Sequence, residues 1–162
     1  MRVDGPLRGV TFLTPGWKSK YGVLDCRLAL TVDELAEVLA KHDVARVLVG
    51  TAYRPGSRLP RRRRKLSQHG HALAIDVVSF YLNDGTELNI QDDYHGEIGQ
   101  PSCGPEAVLT EPTEDAIKLR NLVCDIARAR LFHFMLTPNY DAAHHDHLHL
   151  DIKRGATRSV IR

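Results

Sequence analysis

The placement of histidine is the feature of this sequence that most constrains its fold. Nine histidines occur, and six of them lie in two short segments, residues 69–76 and 144–149. In the second segment, His147 and His149 alternate with leucines. On a strand, this alternation places both imidazoles on one face and both leucines on the other. The chain must therefore bury the leucine face while both histidines open toward one cleft.

The two segments together offer the ligands of a metal site. Histidine is the commonest protein ligand for transition metals, and a catalytic zinc takes three protein ligands and leaves a fourth position for water. His69, Asp76 and His149 would supply such a set, with Zn²⁺ as the cofactor that acidifies the water. Because Asp76 lies in an apolar strand, its carboxylate needs a metal or a salt bridge, for which the arginines of residues 61–64 are the alternative partners.

The remaining histidines carry weaker signals. His71, His144 and His145 are balanced between a functional and a bystander role, whereas the isolated His42, His95 and His133 are interpreted as structural.

Hydrophobic periodicity predicts an α+β fold, in which a mostly antiparallel sheet is flanked by helices. At 162 residues the chain fits one domain, residues 26–162, preceded by an extended N-terminal lead-in, residues 1–25, that Trp17 anchors. The predicted elements are a helix starting at Thr31 or Asp33, a strand at 44–53, a loop at 54–66, a hairpin of strands 72–81 and 86–90, an irregular stretch at 91–111, a helix capped by Thr113, and strands at 131–136 and 147–152.

Composition and charge limit the classes of partner. Lys+Arg number 22 and Asp+Glu 20, and a net charge of +2 does not by itself imply a polyanion partner. No apolar run approaches the roughly 20 residues of a membrane span, and no signal peptide is visible at the N-terminus. The basic run Arg61–Lys65 is open to three interpretations: a solvated loop, a guide for an anionic cell-wall polymer, or a nucleic-acid contact. The last is disfavoured because no aromatic residues interleave the run.

The histidine motifs also resemble a known group of proteins. SxHxxxxxxD followed by a distant HxH resembles the zinc peptidases that include D-alanyl-D-alanine carboxypeptidases and penicillin-insensitive murein endopeptidases. More closely, SQHGHALAIDVVSFYLNDG, the Cys-Gly-Pro at 103–105 and LTPNYDAAHHDHLHLD resemble the bacterial extensin-like C-terminal domain family, from about Cys26 to Lys153.

This resemblance implies a fold, an activity and a ligand set. It implies the α+β domain that these peptidases share with the Hedgehog signalling domain, and a zinc-dependent peptidase that cleaves peptide stems or cross-links of peptidoglycan. His69, Asp76 and His149 match the zinc ligands. The alternative is a non-catalytic, zinc-containing module of the same fold that binds the cell wall.

The resemblance also implies roles around the metal. His147 would assist proton transfer or steady the oxyanion, Asp146 stands where carboxypeptidase relatives carry a general-base Glu, and His144 stands where the endopeptidase branch has another histidine. Arg54, at a strand end, would polarise the scissile carbonyl. Ser67 would hold the substrate or orient His69.

The three cysteines are informative about the cellular compartment of the protein. Their count alone leaves open one disulfide with a buried thiol, typical of an oxidising compartment, and three buried thiols, typical of the cytosol. The resemblance implies a periplasmic or secreted protein, and it then favours Cys26 and Cys103 as the disulfide pair. A monomer is the expected state, and the sequence leaves the oligomeric state open. Cys124, inside a strong helix pattern, is interpreted as a core thiol.

Overall fold

A seven-stranded sheet forms the centre of the protein, whose computed structural model describes residues 1–14, 22–59 and 62–162, with the backbone alone at 62 and 63. Trp17 lies outside the described residues. The elements in chain order are β1 (Thr11–Leu13), α1 (Cys26–Ala40), β2 (Val44–Thr51), β3 (Arg58–Leu59), β4 (Arg62–Leu66), β5 (Ala74–Leu82), β6 (Glu87–Asn89), α2 (Ile90–Asp93), α3 (Glu114–Ala129), β7 (Phe134–Leu136), β8 (Leu148–Asp151) and β9 (Val160–Ile161).

The sheet is mostly antiparallel, as the sequence predicts. Its order is β1-β2-β5-β8-β7-β9, and β6 also pairs with β5. Only the outer pairs, β1 with β2 and β7 with β9, are parallel among the described strands. The protein is therefore a mixed α/β domain with few helices. Part of the N-terminal lead-in joins the sheet, because Thr11 pairs with Arg46.

Strand β5 organises the two faces of the sheet. Ile75 and Val77 pair with Leu150 and Leu148 on β8, and all four side chains belong to the buried core. The core also contains the apolar faces of α1 and α3. Asp76 lies between these two β5 positions, so the pleat directs it to the opposite face. The helices thus cover one face of β5 and β8, and the other face is left for polar side chains.

The two long helices begin at side-chain caps. Thr113 caps α3 by accepting a hydrogen bond from the amide of Ala116, which confirms the prediction. The predicted start of α1 at Thr31 or Asp33 is wrong, because Asp25 caps the helix and accepts from the amide of Arg27. Apolar residues one turn earlier continue the same buried face, so the helix extends further toward its N-terminus.

The predicted loop at 54–66 is also partly wrong. β3 and β4 form a separate two-stranded antiparallel sheet within it. The β4 sequence, RRRKL, lacks alternation of apolar and polar residues. Since backbone hydrogen bonds form the ladder, a hairpin without a buried face escapes detection by hydrophobic pattern.

The predicted disulfide pairing is wrong. Cys103 bonds Cys124, with their Cα atoms 5.6 Å apart, and Cys26 is a free, exposed thiol. Cys26 begins α1 at the surface, whereas Cys103 lies on a loop packed against the α3 face that carries Cys124. The helix pattern predicts that Cys124 is a buried core thiol, but its burial places Cys124 against the loop that carries Cys103.

Among the described residues, no helix combines the length and the apolarity needed to cross a bilayer.

Candidate metal centre

Three ligand atoms converge on one point at the polar face of the sheet. His69 Nε2 lies 3.0 Å from Asp76 Oδ1 and 3.0 Å from His149 Nδ1, and His149 Nδ1 lies 3.1 Å from Asp76 Oδ1. Asp76 and His149 are directly paired across β5 and β8, and His69 opens the short 3-10 turn just before β5. The structure therefore brings together the three residues that the sequence predicts as metal ligands.

The tautomers of both histidines turn lone pairs toward this point. The Nδ1–H of His69 donates to the carbonyl oxygen of Ala52, 2.7 Å away, because a carbonyl can only accept. The Nε2–H of His149 donates to Asp151 Oδ2 at 3.2 Å. Two imidazole lone pairs and a carboxylate oxygen consequently face one another at van der Waals separation or closer. Such a set of acceptors could hold a metal ion.

The triangle of ligand atoms fits zinc. Ligand atoms at about 2.0–2.1 Å from a tetrahedral zinc lie about 3.3 Å apart, close to the separations of 3.0 to 3.1 Å found here. Nitrogen and carboxylate ligands suit zinc, and three protein ligands leave one position open. His69, Asp76 and His149 also form the one group among the described residues whose ligand atoms lie close enough to hold a metal ion.

The pKa values of Asp76 and His149 in the metal-free protein also indicate that this site favours positive charge. Burial opposes ionisation of Asp76, but hydrogen bonds with His149 and His69 outweigh it and hold the pKa of Asp76 well below its usual range. Burial also opposes the charge on His149, yet hydrogen bonds with Asp151 and Asp76 raise the pKa of His149 to about 9. Without a metal, a proton on His149 therefore neutralises the carboxylates around it.

Arg54 lies at the outer edge of the centre. Its Nη2 is 3.3 Å from Asp76 Oδ2, the carboxylate oxygen that does not face the histidines. The backbone amide of Arg54 donates to the carbonyl of His69, which ties the end of β2 to the 3-10 turn. About half of the Arg54 side chain is exposed, so the salt bridge does not bury it. Arg54 thus makes the salt bridge to Asp76 seen among the described side chains. Arg64 makes none with it, and the side chains of residues 61–63 lie outside the described part of the chain.

His147 lies just outside the ligand triangle. Its Nε2 is 3.6 Å from Asp76 Oδ1. Its Nδ1–H donates to Asp146 Oδ1 at 2.7 Å, so the Nε2 that faces the centre is the unprotonated nitrogen of the neutral ring. The hydrogen bond with His147 lowers the pKa of Asp146 despite some burial. The structure therefore places the Asp146 carboxylate against His147, which it orients.

His144 packs beside this pair. Its ring centroid lies 5.1 Å from that of His147 and 6.0 Å from that of His149. Its Nδ1–H donates to Asp141 Oδ1 at 2.6 Å, and Tyr140 contacts its ring edge-on. His144 consequently forms the wall of the cleft next to His147.

Ser67 lies in the support of the His69 turn. Its hydroxyl donates to Ser57 Oγ at 2.9 Å and accepts from the amide of Gly70 at 3.2 Å. Gly70 itself approaches closely, since a Cβ there would lie 2.8 Å from the carbonyl oxygen of Ser57. These contacts suit a residue that orients His69.

The other histidines lie away from the centre or point outward. His71 and His145 are exposed. His42 pairs with Asp125, His95 lies near Glu111, and His133 accepts from the amide of Lys153, all of which agrees with the structural roles expected of these three.

Asp151 is the residue beside the centre that the sequence motifs did not indicate. It is 7% exposed, it holds the Nε2–H of His149, and its other oxygen, Oδ1, has no hydrogen-bond partner among the described residues. A carboxylate two residues after a histidine on one strand shares its face, and that spacing is the signal that identifies such a partner.

Fold and site together define a mixed α/β domain with a His–Asp–His candidate metal centre on an antiparallel sheet. The model of the family described as "Extensin-like protein C-terminus" matches residues 24–161, and the chain belongs to that family. This confirms the family resemblance found in the sequence. No curated protein and no solved structure matches the chain.

Proposed function

We propose that this protein is a zinc-dependent peptidase that cleaves peptide stems or cross-links of bacterial peptidoglycan. The observation that carries the proposal is the set of groups surrounding the ligand triangle. His147 Nε2 and the guanidinium of Arg54 both lie close to Asp76, although neither residue belongs to the ligand triangle. A zinc site that only stabilised a fold would be expected to have four protein ligands and no such groups beside it.

His69, Asp76 and His149 would hold the zinc. When bound there, zinc supplies a Lewis acid that polarises a carbonyl and acidifies water. Asp151 would fix the ring of His149 so that Nδ1 remains a ligand, which is the usual function of a carboxylate behind a ligating histidine.

His147 would move the proton. Its Nε2 is unprotonated and directed at the centre, because Asp146 holds the proton on Nδ1. Nε2 can therefore accept a proton from the nucleophile and return it to the leaving amine. Asp146 would stabilise the imidazolium formed in between, and His144 would confine the ring of His147 from the side.

Arg54 would stabilise the oxyanion. Its exposed guanidinium presents donors toward the cleft while one amino group stays near Asp76 Oδ2. A planar fork of donors is suited to an oxygen on which negative charge develops. Ser67 would contribute indirectly, by holding the turn that carries His69.

Two further features support the proposed setting. The Cys103–Cys124 disulfide is typical of an oxidising compartment, which favours a periplasmic or secreted protein. Ligands on adjacent antiparallel strands, with a histidine in the preceding turn, agree with the proposed relation to the D-Ala-D-Ala peptidase and Hedgehog fold.

The test combines metal analysis with hydrolysis of purified muropeptides. We expect about one zinc per chain and release of shortened or uncross-linked stems. His149→Ala should lose both, because two remaining ligands do not hold zinc against solvent. His145→Ala, a neighbouring exposed histidine, is the matched control and should retain both. Zinc at one per chain with no hydrolysis, but with retention on sacculi, would instead identify a cell-wall-binding module.

A further inference from the structure

Charge is distributed very unevenly along this chain. Residues 54–75 contain seven cations and no acid, whereas the rest of the chain carries 15 basic and 20 acidic residues. The near-neutral net charge of the chain is therefore the sum of one strongly positive segment and a net negative charge on all other residues. The cations of the segment are Arg54, Arg58, Arg61, Arg62, Arg63, Arg64 and Lys65.

Most of these cations lie on the β3–β4 hairpin, which is fixed to the metal centre. At the base of the hairpin, the amide of Ser67 donates to the carbonyl of Ser57 at 2.9 Å, and their hydroxyls are hydrogen-bonded. The hydroxyl of Ser67 in turn holds the amide of Gly70, next to the ligand His69. The hairpin and the turn that carries the first ligand thus form one connected unit.

Two cations of β4, Arg64 and Lys65, are available for binding a ligand. Arg64 and Lys65 are exposed, and neither forms an ion pair with a carboxylate of the described residues. By contrast, the exposed cations Lys118 and Arg128 on α3 pair with Glu114 and Asp125. The charge of Arg64 and Lys65, on the strand that leads into the turn of His69, is therefore available to an anionic ligand.

We propose that this basic hairpin, through Arg64 and Lys65 on β4, binds the carboxylate groups of the peptide whose scissile bond lies at the metal centre. The inference rests on the proposed function, since peptide stems carry free carboxylates. Nucleic acid is the less suitable polyanion because no Phe, Tyr or Trp for base stacking occurs between residues 54 and 79.

Binding of muropeptides to the zinc-loaded His147→Ala protein, in which turnover is suppressed, tests the inference. Replacing Arg64 and Lys65 by Gln should weaken binding about 10-fold at low salt, as two surface charge contacts of about 0.7 kcal/mol each would predict. The loss should shrink at about 1 M salt, where charges are screened within about 3 Å. The matched control replaces Lys118 and Arg128 by Gln, which removes the same charge and should leave affinity unchanged.

A second comparison uses muropeptides whose carboxylates have been converted to amides. We expect the parent protein to bind these as weakly as the hairpin variant binds the free acids. Equal affinity for acid and amide forms, an equal loss in the Lys118 and Arg128 control, or tighter binding of single-stranded DNA than of muropeptides would each overturn the inference.

The two proposals can fail separately. If the parent protein hydrolyses muropeptides but binds their acid and amide forms with equal affinity, the hairpin inference alone is overturned. Carboxylate-dependent binding without hydrolysis would overturn the enzymatic proposal alone. Absence of any binding or hydrolysis would overturn both.

Discussion

Removing the charge of Asp151 should weaken zinc binding without changing any ligand. Asp151 Oδ2 accepts the Nε2–H of His149 at 3.2 Å, and this contact keeps Nδ1 free for the metal. Asp151→Asn retains an oxygen that can accept the same hydrogen bond but loses the negative charge. Asp151→Ala removes both the acceptor and the charge.

The expected magnitudes follow from this contact. Loss of a partner behind a ligating histidine typically costs 10–100-fold in metal affinity. The distance of 3.2 Å is longer than the 2.7–2.9 Å range of a strong charge-assisted bond, and Asn preserves the tautomer, so about 10-fold is expected for Asp151→Asn. Asp151→Ala should reach about 100-fold, near 2.7 kcal/mol, because nothing then fixes the ring of His149.

Competition with a chelator of known zinc affinity measures both losses. Asp141→Asn is the matched control, since Asp141 makes the same kind of contact with His144, which is not a ligand. Its zinc affinity should stay within about 2-fold of the parent. Unchanged affinity in Asp151→Ala, or a loss in Asp141→Asn as large as that in Asp151→Asn, would refute the ligand assignment of His149.

Further predictions address catalysis, pH and stability. His147→Ala should keep the zinc, by elemental analysis, and lose about 100-fold or more in kcat on muropeptides. Arg54→Lys should keep fold and zinc, with kcat reduced about 10²-fold and KM changed less. In the metal-free protein, the pKa of His149 is raised to about 9. This shift should add about 3 kcal/mol to the free energy of unfolding below pH about 6.5, and the gain should be lost as the pH rises through 9. Urea titration at a series of pH values measures it. Cys103→Ser should lower the free energy of unfolding by about 3 kcal/mol, and Cys26→Ser by less than 0.5.

The three residues of the candidate metal centre were predictable because they lie on or beside strands with a clear pattern. Alternation of histidine and leucine determines which way His147 and His149 point, and an isolated carboxylate in the apolar β5 sequence has few alternatives to ligating a metal. Pairing of β5 with β8 then follows from their apolar faces. These inferences use only local periodicity and the cost of buried charge.

The start of α1 and the β3–β4 hairpin were harder to predict, for different physical reasons. Asp25 and Thr31 are both acceptable caps, and the choice depends on whether the turn between them finds a surface to pack against. The hairpin depends on backbone pairing and on the close approach of Gly70 to Ser57, which no side-chain pattern reports.

The disulfide pairing of the cysteines is the clearest feature that local sequence information does not predict. A disulfide requires two Cα atoms within about 7 Å, and that distance is set by how the irregular 91–111 loop folds onto α3. In this loop, Ser102 bonds Thr137 through their hydroxyls at 2.7 Å, and its carbonyl accepts from buried Arg120 at 3.0 Å. These contacts join three distant parts of the chain and bring Cys103 against Cys124. The pairing is therefore a consequence of tertiary packing, in contrast to the direction of the His147 and His149 side chains, which follows from strand periodicity.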